Sequence, residues 1–270
     1  MSLRAASRLA TALADLWWRV DVRRRRVARD NILRCDIETD AARAMALSRR
    51  SARHMGLVAI ESLKSSEILD DGRWREHVEM EIAPDVQAVL EDPGKGLIMA
   101  SGHFGNWEIA AQLLSRYKPV AGITRPMNNP RVEELVQRRK PRYRFHPIPK
   151  YAADPRRFLT VLESGEILAL LTDQYAHSRG MEVAFFGHPA KTHTTAAMLH
   201  LVSRAPLCFA ACARTAPMRF ALTTSELIEH RPSGDKKADV HAILSTINRH
   251  LEDAIRAAPD QYVWGHRRWR

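Results

Sequence analysis

The sequence predicts an α/β fold: a mixed, largely parallel sheet flanked by helices, with a basic helical segment at the N-terminus. Three observations support this fold. After about residue 96, short apolar runs typical of buried strands alternate with stretches of helical periodicity. Before about residue 80, apolar residues recur at helical spacing and arginines are concentrated. With 270 residues, of which 45% are hydrophobic, the chain is long enough to bury a sizeable core.

The first predicted element is an amphipathic helix that precedes a block of four arginines at 23–26. One face of this helix carries Leu9, Leu13, Leu16, Trp17 and Val20, and the opposite face carries Arg4, Arg8, Asp15 and Arg19. An apolar face followed by a basic block is typical of an interfacial membrane helix. The alternative is a helix packed on the main domain with a solvated charged face. We expect residues 1–80 to form a helical, membrane-facing segment and residues 81–270 to form the α/β domain.

The alternation of strands and helices begins after a Pro-Gly turn at residues 93–96. Strands are predicted at 97–100, 119–124, 167–172, 207–213 and 219–224. Helices are predicted at 106–117, 131–140, 154–164, 194–203 and 236–258. Ligands of such folds bind beyond the carboxyl ends of the strands. Since His103, Arg125 and Asp173 each follow a predicted strand, we expect them at one rim of the sheet.

The net charge of +11 and the pI of about 10.0 predict an anionic partner: nucleic acid, an anionic membrane surface or an acidic protein. No helix-turn-helix, zinc-finger or aromatic RNA-binding motif accompanies the arginines, which disfavours nucleic acid. The three cysteines lack paired spacings and indicate a reducing compartment; Cys208 and Cys212 are expected to be buried. The absence of a long apolar stretch or a signal-peptide pattern favours the cytoplasm and still allows peripheral membrane binding.

The segment from Gly102 to Glu108 is the strongest candidate for chemistry. His103 follows a predicted strand, and Glu108 lies just inside the next predicted helix. If Glu108 holds one ring nitrogen of His103, the other nitrogen can act as a general base toward a hydroxyl. Gly102 and Gly105 permit a sharp turn and the close approach of a substrate. No G-x-S-x-G motif is present, so we expect no nucleophilic serine. The remaining histidines match no metal-binding spacing, so we expect no metal, and no cofactor is expected either.

Five ordered segments carry a resemblance to a known family. The first, His103-Phe104-Gly105-Asn106-Trp107-Glu108, is similar to a motif of histidine, four residues, then Asp or Glu. The others are TRPMNNP at 124–130, LTDQ at 171–174, VAFFG at 183–187 with THTT at 192–195, and APDQYVWGHRRW at 258–269. Together they resemble the lipid A biosynthesis (lauroyl/myristoyl) acyltransferase family.

The resemblance implies a glycerol-phosphate-acyltransferase-like fold. It also implies acyl transfer from an acyl carrier protein or acyl-CoA thioester to a hydroxyl of a phosphorylated glycolipid such as a lipid A precursor. By the same resemblance His103 is the general base and Glu108 is its partner. The implied substrate-binding positions are Arg125, Asn129, Asp173, Gln174, His266, Arg267 and Arg268.

The partners that the resemblance implies are anionic, which agrees with the basic charge of the chain. They are the acidic carrier protein or acyl-CoA, the phosphorylated lipid and the anionic surface of the inner membrane at its cytoplasmic face, where the protein is expected to be peripheral. Two alternatives stay open: acylation of another membrane lipid, and thioester hydrolysis with water in place of the acceptor hydroxyl. Binding to nucleic acid is the least favoured alternative.

Overall fold

The structure is a computed structural model that describes residues 2–69, 72–124, 134, 143–149, 154–177 and 180–269. Three long helices come first: α1 (Leu3–Val20), α2 (Val22–Arg34) and α3 (Ala41–Leu63). Side chains of Ser2, Asp21 and Asp40 accept hydrogen bonds from the first turns of these helices, which explains where each begins. A short helix α4 (Ser66–Leu69) and a 3-10 turn (Arg73–Glu76) complete the predicted helical segment.

Strands and helices then alternate, as the sequence predicts. The strands are β1 (Val78–Glu81), β2 (Leu97–Ser101), β3 (Val120–Thr124), β4 (Phe145–Pro149), β5 (Ile167–Leu171), β6 (Met181–Phe185), β7 (His188–Thr192), β8 (Leu207–Ala216) and β9 (Arg219–Thr224). The helices are α5 (Pro84–Glu91), α6 (Trp107–Leu114), α7 (Pro155–Glu163), α8 (Thr195–Ser203) and α9 (Lys236–Ala257), with a 3-10 turn at Pro259–Gln261. The helix predicted at 131–140 lies outside the described residues, except for Glu134.

Seven strands form one sheet in the order β1-β9-β8-β2-β5-β3-β4. The five strands from β8 to β4 in this order are parallel to one another. Strand β9 is antiparallel to β8, and β1 is parallel to β9. The remaining two strands, β6 and β7, form a separate antiparallel hairpin. The predicted α/β class, with a mixed and largely parallel sheet, is therefore confirmed.

The sequence analysis missed four of these strands, and their positions explain why. β1 and β4 are the two edges of the large sheet, and β6 and β7 form the small hairpin. Strands at an edge bury only part of their surface and tolerate proline, and β4 contains Pro147 and Pro149. Such strands lack the continuous apolar run that identifies a central parallel strand such as β2.

The two faces of the large sheet bury separate apolar clusters. Ile98 and Ala100 of β2 point into the cluster that includes α2, α3 and α9, whereas Leu97 and Met99 point into the cluster that includes α5 and α6. Cys208 and Cys212 are buried in the second cluster, as predicted. Since the N-terminal helices share the first cluster with the sheet, they pack on the α/β part of the chain.

Helix α1 packs on α3 through small and polar residues. Gly56 of α3 allows this contact, because a Cβ there would lie 2.8 Å from the carbonyl oxygen of Ala10. Asp15 accepts hydrogen bonds from Arg49 and Arg53, which hold the pKa of Asp15 well below its usual range. The predicted apolar face stays open: Leu13 is 56%, Trp17 58% and Val20 69% exposed. Among the described residues, no helix is both long and apolar enough to span a membrane.

Candidate active site

The pairing of β2 with β5 brings two predicted site residues together. Ser101 and Leu171 are register partners at the carboxyl ends of these parallel strands. His103 and Asp173 each lie two residues farther along, so both come to the same rim of the sheet. The backbone N–H of His103 donates to Asp173 Oδ2 at 3.0 Å, and its ring Nδ1 lies 2.8 Å from Asp173 Oδ1. Their predicted co-location is confirmed.

The Asp173 carboxylate fixes both the orientation and the protonation of the His103 ring. Asp173 is fully buried, whereas the His103 side chain keeps 17% of its surface exposed. Burial by itself lowers the pKa of His103, but the charge and hydrogen bond of Asp173 outweigh burial and raise that pKa. The same pair keeps the pKa of Asp173 well below its ordinary value, although burial opposes this. Nδ1 therefore carries a proton that it donates to Asp173, which leaves the Nε2 lone pair available.

This geometry corrects the expected partner of the His103 ring. The sequence analysis placed Glu108 at a ring nitrogen of His103, but the carboxylate at Nδ1 belongs to Asp173. Glu108 lies in the first turn of α6, and its charge adds to the effect of burial, which raises the pKa of Tyr143. The physical reason for the difference is strand pairing, since the contact of β2 with β5 brings Asp173, 70 positions away in the sequence, to Nδ1. A catalytic role of Glu108 stays a prediction.

Three further side chains contact the ring of His103. The amide nitrogen of Gln174 lies 3.3 Å from Nε2, a contact in which the amide donates to the ring lone pair. The rings of Trp107 and His266 meet the His103 ring edge-on, with centroids 5.0 and 5.2 Å away. Gln174, predicted from the resemblance, is thus a neighbour of Nε2, and His266, also predicted, is a neighbour of the ring.

The C-terminal segment is tied to the turn that carries His103. Val263 N–H donates to the His103 carbonyl at 3.1 Å, and Gly105 N–H donates to the Gln261 carbonyl at 2.9 Å. Helix α2 holds the same segment, because Asn31 donates to the carbonyls of Trp264 and His266. The sequence analysis found this segment by its resemblance to a closing motif, and the structure shows its contact with the turn that carries His103.

Comparison with known proteins identifies the family of the chain. Residues 1–270 match the family model described as Bacterial lipid A biosynthesis acyltransferase. The chain belongs to this family. It is 24% identical over 251 residues to a lipid A biosynthesis palmitoleoyltransferase of Escherichia coli (strain K12), covering 92% of this chain and 79% of that protein. It is 26% identical over 267 residues to a lipid A biosynthesis lauroyltransferase of the same organism, covering 97% and 84%.

A solved structure also aligns with this acyltransferase over most of the chain. The 1-acyl-sn-glycerophosphate acyltransferase PlsC from Thermotoga maritima aligns over 93% of this chain and 98% of its own, with 11% identity and a TM-score of 0.38. The resemblance stated from the sequence motifs is confirmed at the level of the family.

Arg267 and Arg268 of the acyltransferase, both implied by the resemblance, differ in exposure. Arg267 is exposed, whereas Arg268 is buried and donates to the carbonyls of Lys191 and Gln174 and to the hydroxyl of Thr192. These bonds hold the C-terminal segment against β7 and against the loop that carries Gln174. The predicted substrate contacts of both arginines stay predictions. Arg125 and Asn129 lie outside the described residues.

An apolar groove of about 810 Å³ opens beside this site. It lies among α1, α2 and α3, and Val263 and Gly265 of the C-terminal segment form one part of its wall. Its other walls include Leu9, Leu13, Trp17, Ala52, Met55 and Ile60. The groove thus connects the exposed apolar face of α1 with the segment that contacts His103 in the acyltransferase.

Proposed function

We propose that this acyltransferase moves a fatty acyl group from a thioester donor to a hydroxyl of a phosphorylated glycolipid such as a lipid A precursor, with His103 as the general base. The observation that supports this most directly is the His103–Asp173 pair at the rim of the sheet, in which Nδ1 carries the proton and Nε2 carries the basic lone pair. Both similar proteins from Escherichia coli are named as lipid A acyltransferases, which supports the choice of acceptor.

The proposed reaction needs one base and no protein nucleophile. Nε2 of His103 takes the proton of the acceptor hydroxyl as the hydroxyl oxygen attacks the thioester carbonyl carbon. Asp173 stabilises the imidazolium that forms, as a carboxylate does in a hydrolytic triad. When the C–S bond breaks, the proton on Nε2 passes to the leaving thiolate, so the products are an ester and a thiol. The ring is then neutral again and ready for the next turnover.

The charge of the chain supports anionic partners for this reaction. A net charge of +11 attracts an acidic acyl carrier protein, the phosphates of acyl-CoA and the phosphates of the acceptor. We assign Arg125 and Asn129 to substrate binding from the resemblance, since a guanidinium suits a phosphate or a developing oxyanion. We assign Gln174, His266, Arg267 and Arg268 to substrate binding from the same resemblance. Gln174 contacts His103, and the C-terminal segment that carries the other three residues contacts the turn of His103.

The decisive experiment supplies labelled acyl carrier protein and a lipid A precursor to the purified protein. We expect the wild type to form the acylated lipid and His103→Ala, at an unchanged melting temperature, to lose transfer. General-base catalysis contributes about 10²–10⁴-fold, so the loss should fall in that range. Parallel reactions with acyl-CoA, with another phospholipid acceptor and with water alone distinguish the donor, the acceptor and thioester hydrolysis. Full activity of His103→Ala would contradict the assignment of the base.

We also propose a peripheral position on the cytoplasmic face of the inner membrane. The open apolar face of α1 lies next to a row of arginines at 23–26, and the two together suit an anionic bilayer surface. The apolar groove behind this face suits an acyl chain that enters from the bilayer.

Replacement of Leu13, Leu16 and Trp17 by Gln tests the membrane proposal. These residues are more than half exposed, so the change should leave the fold intact while it removes the apolar contact. We expect the variant to lose most of its binding to vesicles that contain anionic lipid, as measured by sedimentation. Binding equal to that of the wild type would show that another surface contacts the membrane.

A further inference from the structure

A buried network of polar side chains lies behind the turn that carries His103. His54 and Glu61 are seven residues apart on α3, or about two helical turns, so they face the same side and both are buried. Arg214 of β8 donates from Nε and Nη2 to the two carboxylate oxygens of Glu61, at 2.5 and 2.7 Å. Nη1 of Arg214 lies 2.6 Å from Nδ1 of His54, and Nε2 of His54 lies 3.0 Å from the carbonyl oxygen of Gly105.

The direction of each bond in this network follows from chemistry. A guanidinium only donates, so Nδ1 of His54 is an acceptor and Nε2 carries the proton that it donates to Gly105. Burial, with the positive charge of Arg214, lowers the pKa of His54 to about 3. His54 is therefore neutral at neutral pH, and its tautomer is set by Arg214.

The turn depends on its hydrogen bonds because its backbone packs closely against β8 at Gly105. Gly105 has a φ of +57°, and a Cβ there would lie 2.0 Å from the carbonyl oxygen of Cys212. That same carbonyl accepts the Asn106 N–H at 2.7 Å. The Asn106 side chain donates to Glu61 at 2.9 Å while its oxygen caps α6 through the N–H of Ile109. Glu61 thus orients Arg214 and Asn106 together.

We propose that His54 is a positioning residue for acyl transfer, because its hydrogen bond to the Gly105 carbonyl fixes the turn that places His103. Gly105 follows His103 by only two residues, so a rotation of the Gly105 peptide moves the ring that receives the proton. A displacement of about 1 Å at a reacting group costs about 100-fold in rate. His54 contacts no reacting atom in this scheme and acts through the backbone alone. The activity arm of the test rests on the proposed function.

Two substitutions of similar polarity separate this role from simple space filling. Gln at position 54 extends an N–H donor toward the place of Nε2, whereas Asn reaches only to the place of Nδ1. We expect His54→Asn to lower kcat by about 10- to 100-fold with little change in KM, which is the signature of a misplaced catalytic group. His54→Gln should recover most of that loss. Both effects are measured in the acyl-transfer reaction.

Amide hydrogen exchange of the protein without substrate gives a readout that does not depend on activity. The amides of Gly105, Asn106 and Val263 should exchange faster in His54→Asn than in the wild type and return toward wild-type rates in His54→Gln. His200→Gln is the matched control, since Nδ1 of His200 contacts the Ala205 carbonyl at the end of α8, and Gln moves the donor away from the place of Nδ1. That variant should leave the three amides and kcat unchanged.

Wild-type exchange and kcat in His54→Asn, or an equal impairment in His54→Gln, would overturn the proposal. If His54→Asn does not fold, His54→Gln decides: native exchange with near-native kcat supports the role, and impairment of both overturns it. If the wild type transfers no acyl group to any acceptor, the proposed function fails. The exchange comparison then still tests the positioning of the turn.

Discussion

The two sides of one turn hold histidines whose environments are opposite. On the rim side, His103 contacts the carboxylate of Asp173 at 2.8 Å. On the inner side, His54 contacts the guanidinium of Arg214 at 2.6 Å. Burial disfavours the charged form of both rings, but the pKa of His103 is raised and that of His54 is lowered to about 3. At His103 the charge of Asp173 reverses the effect of burial, whereas at His54 burial sets the direction and the charge of Arg214 adds to it.

In the proposed scheme these different environments suit the two histidines to different roles. An anionic partner lets His103 accept a proton, because the imidazolium that forms is stabilised. Burial and a cationic partner keep His54 neutral, and that partner gives it one fixed tautomer, which suits a constant hydrogen-bond donor. In the proposed scheme the same residue type therefore serves proton transfer on one side of the turn and geometry on the other.

The largest expected effect comes from Asp173→Asn, which removes the charge from the rim side of the turn. Two donors compete for Asp173: the backbone N–H of His103 and its ring. Asn has one oxygen, and if the backbone N–H keeps it, the Asn amide faces Nδ1. The ring then shifts its proton to Nε2 and loses its basic lone pair. We expect kcat to fall by about 10³–10⁴-fold in the acyl-transfer assay, as for the equivalent change in a hydrolytic triad.

Glu108→Gln is the matched control for that variant. It removes one negative charge from the first turn of α6 without changing the contact at Nδ1 of His103. We expect a smaller loss of kcat than in Asp173→Asn. A larger loss would restore the partner role that the family resemblance implies for Glu108 and would break the comparison between the two histidines.

The sequence analysis expected Glu108 at the His103 ring, whereas the structure has Asp173 there. The difference shows how much of the site the sequence could predict. Buried parallel strands such as β2 and β5 have continuous apolar runs, so their ends, and the polar residues that follow, were predictable. That both residues reach one rim followed from the fold class. That β5 lies directly beside β2 did not follow, since one sequence contains no pattern for strand order. Proximity along the chain therefore favoured Glu108.

His54 and Arg214 were less predictable still. No spacing rule identifies a single histidine within α3 or an arginine near the C-terminal end of β8. The contact between them joins residues 160 positions apart. Their common feature is burial of polar groups, which becomes visible only when the packing of α3 against the catalytic turn is known. The sequence motif located the turn, and the tertiary contacts reveal what holds it.

The smallest expected effect is a difference in acid stability that reports directly on His54. The folded-state pKa of about 3 lies below the ordinary value of 6.5, so the unfolded chain binds a proton at higher pH than the folded chain does. As pH falls from 6.5 toward 3, the wild type should lose unfolding free energy relative to His54→Gln, by at most about 1.4 kcal/mol per pH unit. Urea unfolding at several pH values measures this difference, in which contributions common to both proteins, including those of His250 and His266, cancel. Parallel curves would mean that His54 keeps an ordinary pKa when folded, and the contrast between the two histidines would then be wrong.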